Sequence, residues 1–153
     1  MGRHITAGAA KASDLSETGS VGGVATSAKA HLVSTCEAKD RQQGRWWLSP
    51  HVDITCRTIP LKAGRELLLL AACARDGVMN GIMKYVSEVS QEGKRPFILM
   101  ADFNRVPGQL GERDWLARVG ASPKVAQGGE ATRHQGKGSC IDYVICSGSI
   151  WGR

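Results

Sequence analysis

The sequence predicts an α+β fold, two layers of β-sheet with flanking helices. Three observations predict it. His51–Pro60 alternates strictly, with Val52, Ile54 and Cys56 on one face and Asp53, Thr55 and Arg57 on the other. That period of two marks a half-buried strand. Glu66–Ala74 (ELLLLAACA) is a continuous apolar run of strand length, as a strand covered on both faces requires, and Pro96–Phe103 reads as a further strand, apolar until Asp102. Between them, Val78, Ile82, Val86 and Val89 recur at helical spacing, flanked by Met79 and Met83. Strand, helix and strand in succession would also serve a parallel α/β sheet, which remains the structural alternative.

At 153 residues the chain suits one domain, and 42% hydrophobic content is too high for a disordered chain. The formal charge of +6 suits a polyanionic partner such as nucleic acid, although no run of Lys or Arg stands out. Five cysteines, an odd number with no Cys-x-x-Cys pair, argue against a zinc site and a secreted disulfide scaffold. Reduced thiols, mostly buried, are expected. The longest apolar run, Leu67–Ala74, is too short to span a membrane, so no membrane partner is expected. The N-terminus lacks the apolar region of a signal peptide, which favours an intracellular location.

In chain order, residues 1–20 are small and polar and read as a loose segment, with the domain proper over 21–153. Val21–Val33 reads as a strand entered through Gly22 and Gly23. Glu37–Ser49, carrying Arg41, Arg45, Trp46 and Trp47, reads as a loop or hairpin. Its aromatics either pack on a sheet or stack on bases. The helix spans Asp76–Glu92, with Asp76 as N-cap and Gly93 as the stop. Glu112–Val119 is a short helix ended by Gly120. Ala121–Gly138 is Gly-rich and polar and reads as a surface loop, and Cys140–Cys146 is the last strand.

Two segments carry possible chemistry. In Phe97–Asn104 (FILMADFN), Asp102 and Asn104 should point the same way from a strand end, with Phe103 opposite. A carboxylate can orient an attacking water, and an amide can donate to phosphoryl oxygens where charge develops. The bland reading is a strand end opening a turn. In Ser139–Ser147 (SCIDYVICS), Asp142 sits in an apolar segment, where a carboxylate is costly unless paired. It calls for a cation, a histidine or a metal nearby, or else for an exposed sheet edge.

Together and in this order, Ala101-Asp102-Phe103-Asn104-Arg105-Val106-Pro107 and Ser139-Cys140-Ile141-Asp142-Tyr143 resemble the endonuclease/exonuclease/phosphatase family. Gly22-Gly23-Val24-Ala25 resembles its earlier strand, and Glu66–Glu92 its strand-then-helix step. The resemblance covers about Val21–Ile150. It implies a partial deoxyribonuclease-I-like sandwich, truncated at both ends, of a magnesium-dependent phosphodiester hydrolase. It further implies that Asp102 orients the hydrolytic water, Asn104 binds the scissile phosphate, and Asp142 holds a histidine. Similar domains occur in DNA-repair nucleases, phosphoinositide phosphatases and the endonucleases of non-LTR retroelements. The basic charge favours a nuclease.

The departures are specific. The family's metal-binding Glu, in a Gln-Glu dipeptide, has no counterpart, since Glu17 lies too close to the Gly-Gly-Val strand. The terminal Ser-Asp-His motif is absent, and none of His4, His31, His51 and His134 has an Asp-His context. No metal ligand is therefore assigned, although Mg2+ is the implied cofactor. Two further readings stand beside the hydrolase. One is an inactive remnant that at most binds nucleic acid. The other is an unrelated α/β domain in which Asp-Phe-Asn is coincidental, with Asp102 and Asp142 far apart.

Overall fold

The computed structural model describes residues 3–8, 11–12, 20–21, 24–29, 35–36, 52–74, 79–110, 113–125 and 140–150. Its elements in order are β1 (Arg3–Gly8), β2 (Lys11–Ala12), β3 (Ser20–Val21), β4 (Val24–Lys29), β5 (Thr35–Cys36), β6 (Val52–Pro60), β7 (Glu66–Ala74), α1 (Asn80–Val89), β8 (Phe97–Asp102), α2 (Arg113–Arg118), β9 (Ala121–Lys124) and β10 (Asp142–Ser147).

The main sheet has six strands in the order β5-β6-β7-β8-β10-β9. Only β7 and β8 run parallel, and α1 makes the crossover that this requires. Every other neighbour is antiparallel. A mixed sheet dominated by antiparallel pairs is an α+β arrangement, which removes the parallel α/β alternative. A second ribbon, β1 paired with β4, lies against β6 and β7. Thr55 and Arg57, on the face of β6 opposite its core residues Ile54 and Cys56, are buried as well. The sheet is thus covered on both sides at β6.

Register explains the core. Cys56, Leu70, Leu99 and Ile145 form one row across β6, β7, β8 and β10, and Ile54, Ala72, Ala101 and Tyr143 form the next. All eight are buried in one cluster or beside it. Ile82, Tyr85, Val86 and Val89 of α1 pack onto this face, as their spacing dictates. Val78, the first residue of the expected stripe, lies outside the described residues. Arg95 ties the end of α1 to the sheet: its Nη1 donates to the Val89 carbonyl at 2.9 Å and its Nη2 to Glu66 Oε2 at 2.9 Å. Trp115 of α2 is buried, and its indole Nε1 donates to Ser87 Oγ at 2.9 Å, joining the two helices.

Several expectations need correction. Residues 1–20 contain a strand, since Arg3–Gly8 pairs antiparallel with Val24–Lys29. This strand is rich in small and polar residues, and its pairing is a tertiary matter that no alternation announces. Ala121–Lys124, expected in a loop, is the edge strand β9. Pro123 disguised it; proline is excluded from central strands but tolerated at an edge. The helix is shorter than Asp76–Glu92. It runs over Asn80–Val89 with Met79 at the N-cap, and Asp76 lies outside the described residues. It ends early because Gln91, Glu92 and Gly93 all take positive φ. Gly93 is required there. A Cβ at that position would stand 2.4 Å from the Val119 carbonyl oxygen. Cys56 and Cys146 are buried reduced cysteines, and Cys73 and Cys140 are half-buried ones. The segment with Arg41, Arg45, Trp46 and Trp47 lies outside the described residues, as do Glu17, Glu37, His31, His51 and His134. No helix among the described residues is long and apolar enough to cross a membrane.

Candidate active site at the carboxyl ends of two parallel strands

β7 and β8 leave the sheet side by side, and the site assembles where they end. Apolar residues carry β8 through the core as far as Ala101, and Asp102 is its last residue. β10 begins at Asp142 and runs back beside it, with Asp142 directly opposite Asp102. The next pair outward is linked by a hydrogen bond from the Phe103 N–H to the Ile141 carbonyl at 2.9 Å. Antiparallel pairs alternate between bonded and non-bonded, so Asp102 and Asp142 form a non-bonded pair. Such pairs bring their Cα atoms to about 4.5 Å, with side chains on one face. The fold therefore places two carboxylates together, Asp102 half-buried and Asp142 exposed. Like charges in direct opposition are unfavourable and attract a cation.

Asn104 departs from the strand. It takes φ 51°, in the left-handed region, which Asn tolerates better than most residues. The alternation expected from Asp102 to Asn104 is thus broken, and a turn joins them instead. The Asn104 N–H donates to Asp102 Oδ1 at 2.9 Å, and Asn104 Nδ2 donates to the Ala74 carbonyl at the end of β7 at 3.0 Å. One contact holds the carboxylate and the other fixes the amide over the strand ends. Phe103 turns inward and stacks on Tyr143 with ring centroids 4.2 Å apart, which makes both residues the packed base of the site.

All three residues singled out in the sequence, Asp102, Asn104 and Asp142, converge at this one end. Two neighbours were not foreseen. Cys73 aligns with Asp102 across the parallel pair, on the same row. Lys124 of β9 aligns with Val144, two residues along from Asp142. Only the register reveals either, because both belong to segments whose sequence reads as plain strand or loop.

The donor chemistry suits magnesium in one respect. Mg2+ commonly uses one or two carboxylates and completes its shell with water and substrate phosphate, and Asp102 and Asp142 offer two. An all-protein cage is not present: among the described residues no three of His, Cys, Asp or Glu are grouped to hold a metal. The histidine that the resemblance implies beside Asp142 is not among the described side chains.

No protein-family model matches the chain, and no curated protein matches it by sequence. Solved structures do. The human Nocturnin catalytic domain with bound sulfate superposes with a TM-score of 0.64 at 15% identity, over 96% of this chain and 61% of that one. A mannosyl-6-phosphatase of Bacteroides thetaiotaomicron (TM-score 0.45, 15% identity) covers 63% of this chain and 43% of its own. An endonuclease/exonuclease/phosphatase family protein from the same organism (TM-score 0.43, 17% identity) covers 64% and 41%. The chain spans about three fifths of the length of the Nocturnin domain. With its mixed sheet and ribbon layer, the chain is built on part of the deoxyribonuclease-I-like fold of the endonuclease/exonuclease/phosphatase proteins.

Proposed function

We propose that this chain carries the phosphate-binding and water-orienting part of a magnesium-dependent phosphodiesterase site that acts on nucleic acid. The observation that carries the reading is the direct opposition of Asp102 and Asp142, with the Asn104 amide anchored beside them. An amide nitrogen has two hydrogens. One is committed to the Ala74 carbonyl, and the other is available for a phosphoryl oxygen. Asp102, steadied by the Asn104 N–H, keeps a carboxylate oxygen for the attacking water. Asp142 adds a second acceptor across the strand pair. Magnesium held by the two carboxylates and the phosphate would supply charge stabilisation at the phosphoryl group. That the Nocturnin domain binds a sulfate is consistent with a fold able to hold a tetrahedral oxyanion. The net charge of +6 favours a polynucleotide over a small sugar phosphate.

A second reading has its own observation. None of His4, His31, His51 and His134 follows an aspartate, so the histidine that the resemblance pairs with Asp142 has no counterpart in this sequence, which favours a chain that binds nucleic acid without cutting it. Plasmid nicking with magnesium, comparing the chain with Asp102→Ala, separates the two. The hydrolase reading expects weak nicking that depends on magnesium and is lost in the variant. Loss of the acid–base contribution alone is commonly worth about 10²–10⁴-fold. Equal and negligible nicking by both forms would establish the non-cutting reading.

A further inference from the structure

At the end of the sheet remote from Asp102, a groove of about 520 Å³ lies between the turn that joins β6 to β7 and the turn that joins α1 to β8. The Leu61 N–H donates to the Arg65 carbonyl at 2.7 Å and closes the first turn. The Arg95 N–H donates to the Ser90 carbonyl at 2.9 Å and closes the second. Both turns hold residues other than glycine in the left-handed region: Ala63 (φ 61°) in the first, Gln91 (φ 51°) and Glu92 (φ 55°) in the second. Such conformations persist only where the surroundings over-determine them, and they collect at active sites and ligand clamps. Turns run over the surface, because burial would strand their backbone polar groups. The groove is therefore open by the nature of its own walls, independently of any layer packed on the faces of the sheet.

The lining residues include three cations, Arg65, Lys94 and Arg95, and one carboxylate, Glu66. Arg95 is engaged by the fold: its Nη2 donates to Thr58 Oγ1 at 3.4 Å as well as to Glu66, which offsets its charge. Arg65 and Lys94 are exposed and form no ion pair with another described residue. Two positive charges are thus left over, one on each wall, carried by turns whose hydrogen bonds fix them. We infer that this groove holds one backbone phosphate of the nucleic acid well away from the scissile one, between the Arg65 guanidinium and the Lys94 ammonium. The inference rests on the nucleic-acid reading and adds a second contact to it. A guanidinium fork can donate to two phosphate oxygens at once, and a lysine adds a mobile point charge. β8, six residues long at about 3.3 Å each, puts the groove about 20 Å from Asp102. At about 3.4 Å per nucleotide, only a chain of roughly six nucleotides or more reaches both, so the two sites together favour a polymer over a mononucleotide. With a Debye length of about 10 Å at 0.1 M salt, charges in the groove act on the phosphate they touch and not on the distant carboxylates.

The test is binding of a fluorescein-labelled single-stranded oligonucleotide of about twenty nucleotides by anisotropy, in magnesium-free buffer, from about 50 to 200 mM salt. Each single-strand phosphate contact contributes about 0.7 to the slope of log affinity against log salt. The double change Arg65→Gln with Lys94→Gln removes one such contact and should lower the slope by about that amount, whereas Arg65→Lys with Lys94→Arg should retain it. The control removes the same net charge elsewhere: Lys84→Gln with Arg118→Gln, at exposed positions of α1 and α2, should leave the slope unchanged. Should the groove variant melt early, Lys94→Gln alone, at an exposed side chain, carries the same test. An unchanged slope in the groove variants overturns the inference while leaving the nucleic-acid reading intact. So does an equal fall in the control, which would make the effect one of overall charge. Absence of salt-dependent binding by the unaltered chain overturns the nucleic-acid reading and the groove with it.

Discussion

Ile82 provides a direct test of how the helix supports the site. Its side chain is fully buried between α1 and the sheet, in the cluster with Leu68, Leu70, Leu99 and Ile145. Ile82→Ala removes three carbons. At about 0.8 kcal/mol each the transfer loss is near 2.4 kcal/mol. A residual cavity adds to this, and measured Ile→Ala changes in cores span about 2–5 kcal/mol. The expected cost is therefore about 3–4 kcal/mol, against a total stability of roughly 5–15 kcal/mol for a domain. With a urea slope of about 2 kcal/mol per molar, the midpoint should fall by about 1.5–2 M. Far-ultraviolet circular dichroism during urea titration reads this directly, with the exposed Lys84→Ala as the control. Val86→Asp, at another fully buried position of α1, introduces an unpaired buried charge and should leave no folded population. A midpoint within about 0.3 M of the unaltered chain for Ile82→Ala, or a cooperative transition for Val86→Asp, would refute the packing of α1 on this sheet.

Other substitutions probe the turns and the site. Gly93→Ala forces a Cβ against the Val119 carbonyl at a positive φ, and should cost more than the roughly 1–2 kcal/mol of the left-handed conformation alone. Thermal unfolding measures it, and a change under about 0.5 kcal/mol would contradict the close approach. Asn104→Ala leaves the Ala74 carbonyl without its donor and should cost about 1–2 kcal/mol. Asn104→Gly relieves the positive φ and should cost less, yet it removes the same amide; the two variants should therefore differ in stability and agree in lost phosphate binding. Trp115→Phe deletes the donor to Ser87 while keeping most of the buried ring, so a loss of about 1 kcal/mol is expected by urea titration.

The sequence by itself determined the parts of the fold that bury a face. β6 and the stripe of α1 were legible because burial on one face imposes a period on the side chains, two in a strand and 3.6 in a helix, and β7 and β8 were legible as apolar runs of strand length. Asp102 and Asp142 were legible for the converse reason, as carboxylates where an apolar run ends or begins. β1 and β9 were not legible. Arg3–Gly8 and Ala121–Lys124 are stabilised by the strands they join, and neither carries an alternation of its own. The helix boundary also depended on distant chain, since the Gly93 turn is shaped by the nearby backbone of Val119. The relation between the functional residues was decided by tertiary structure alone. Forty positions apart in the chain, Asp102 and Asp142 become direct partners because β10 returns antiparallel to β8 in one register. A slip of one residue would turn Asp142 to the other face and bring Tyr143 opposite Asp102. The same register sets Cys73 beside Asp102 and Lys124 beside Val144. Strand pairing is a long-range choice, made by the summed burial of the whole sheet, and it is not encoded locally in either motif.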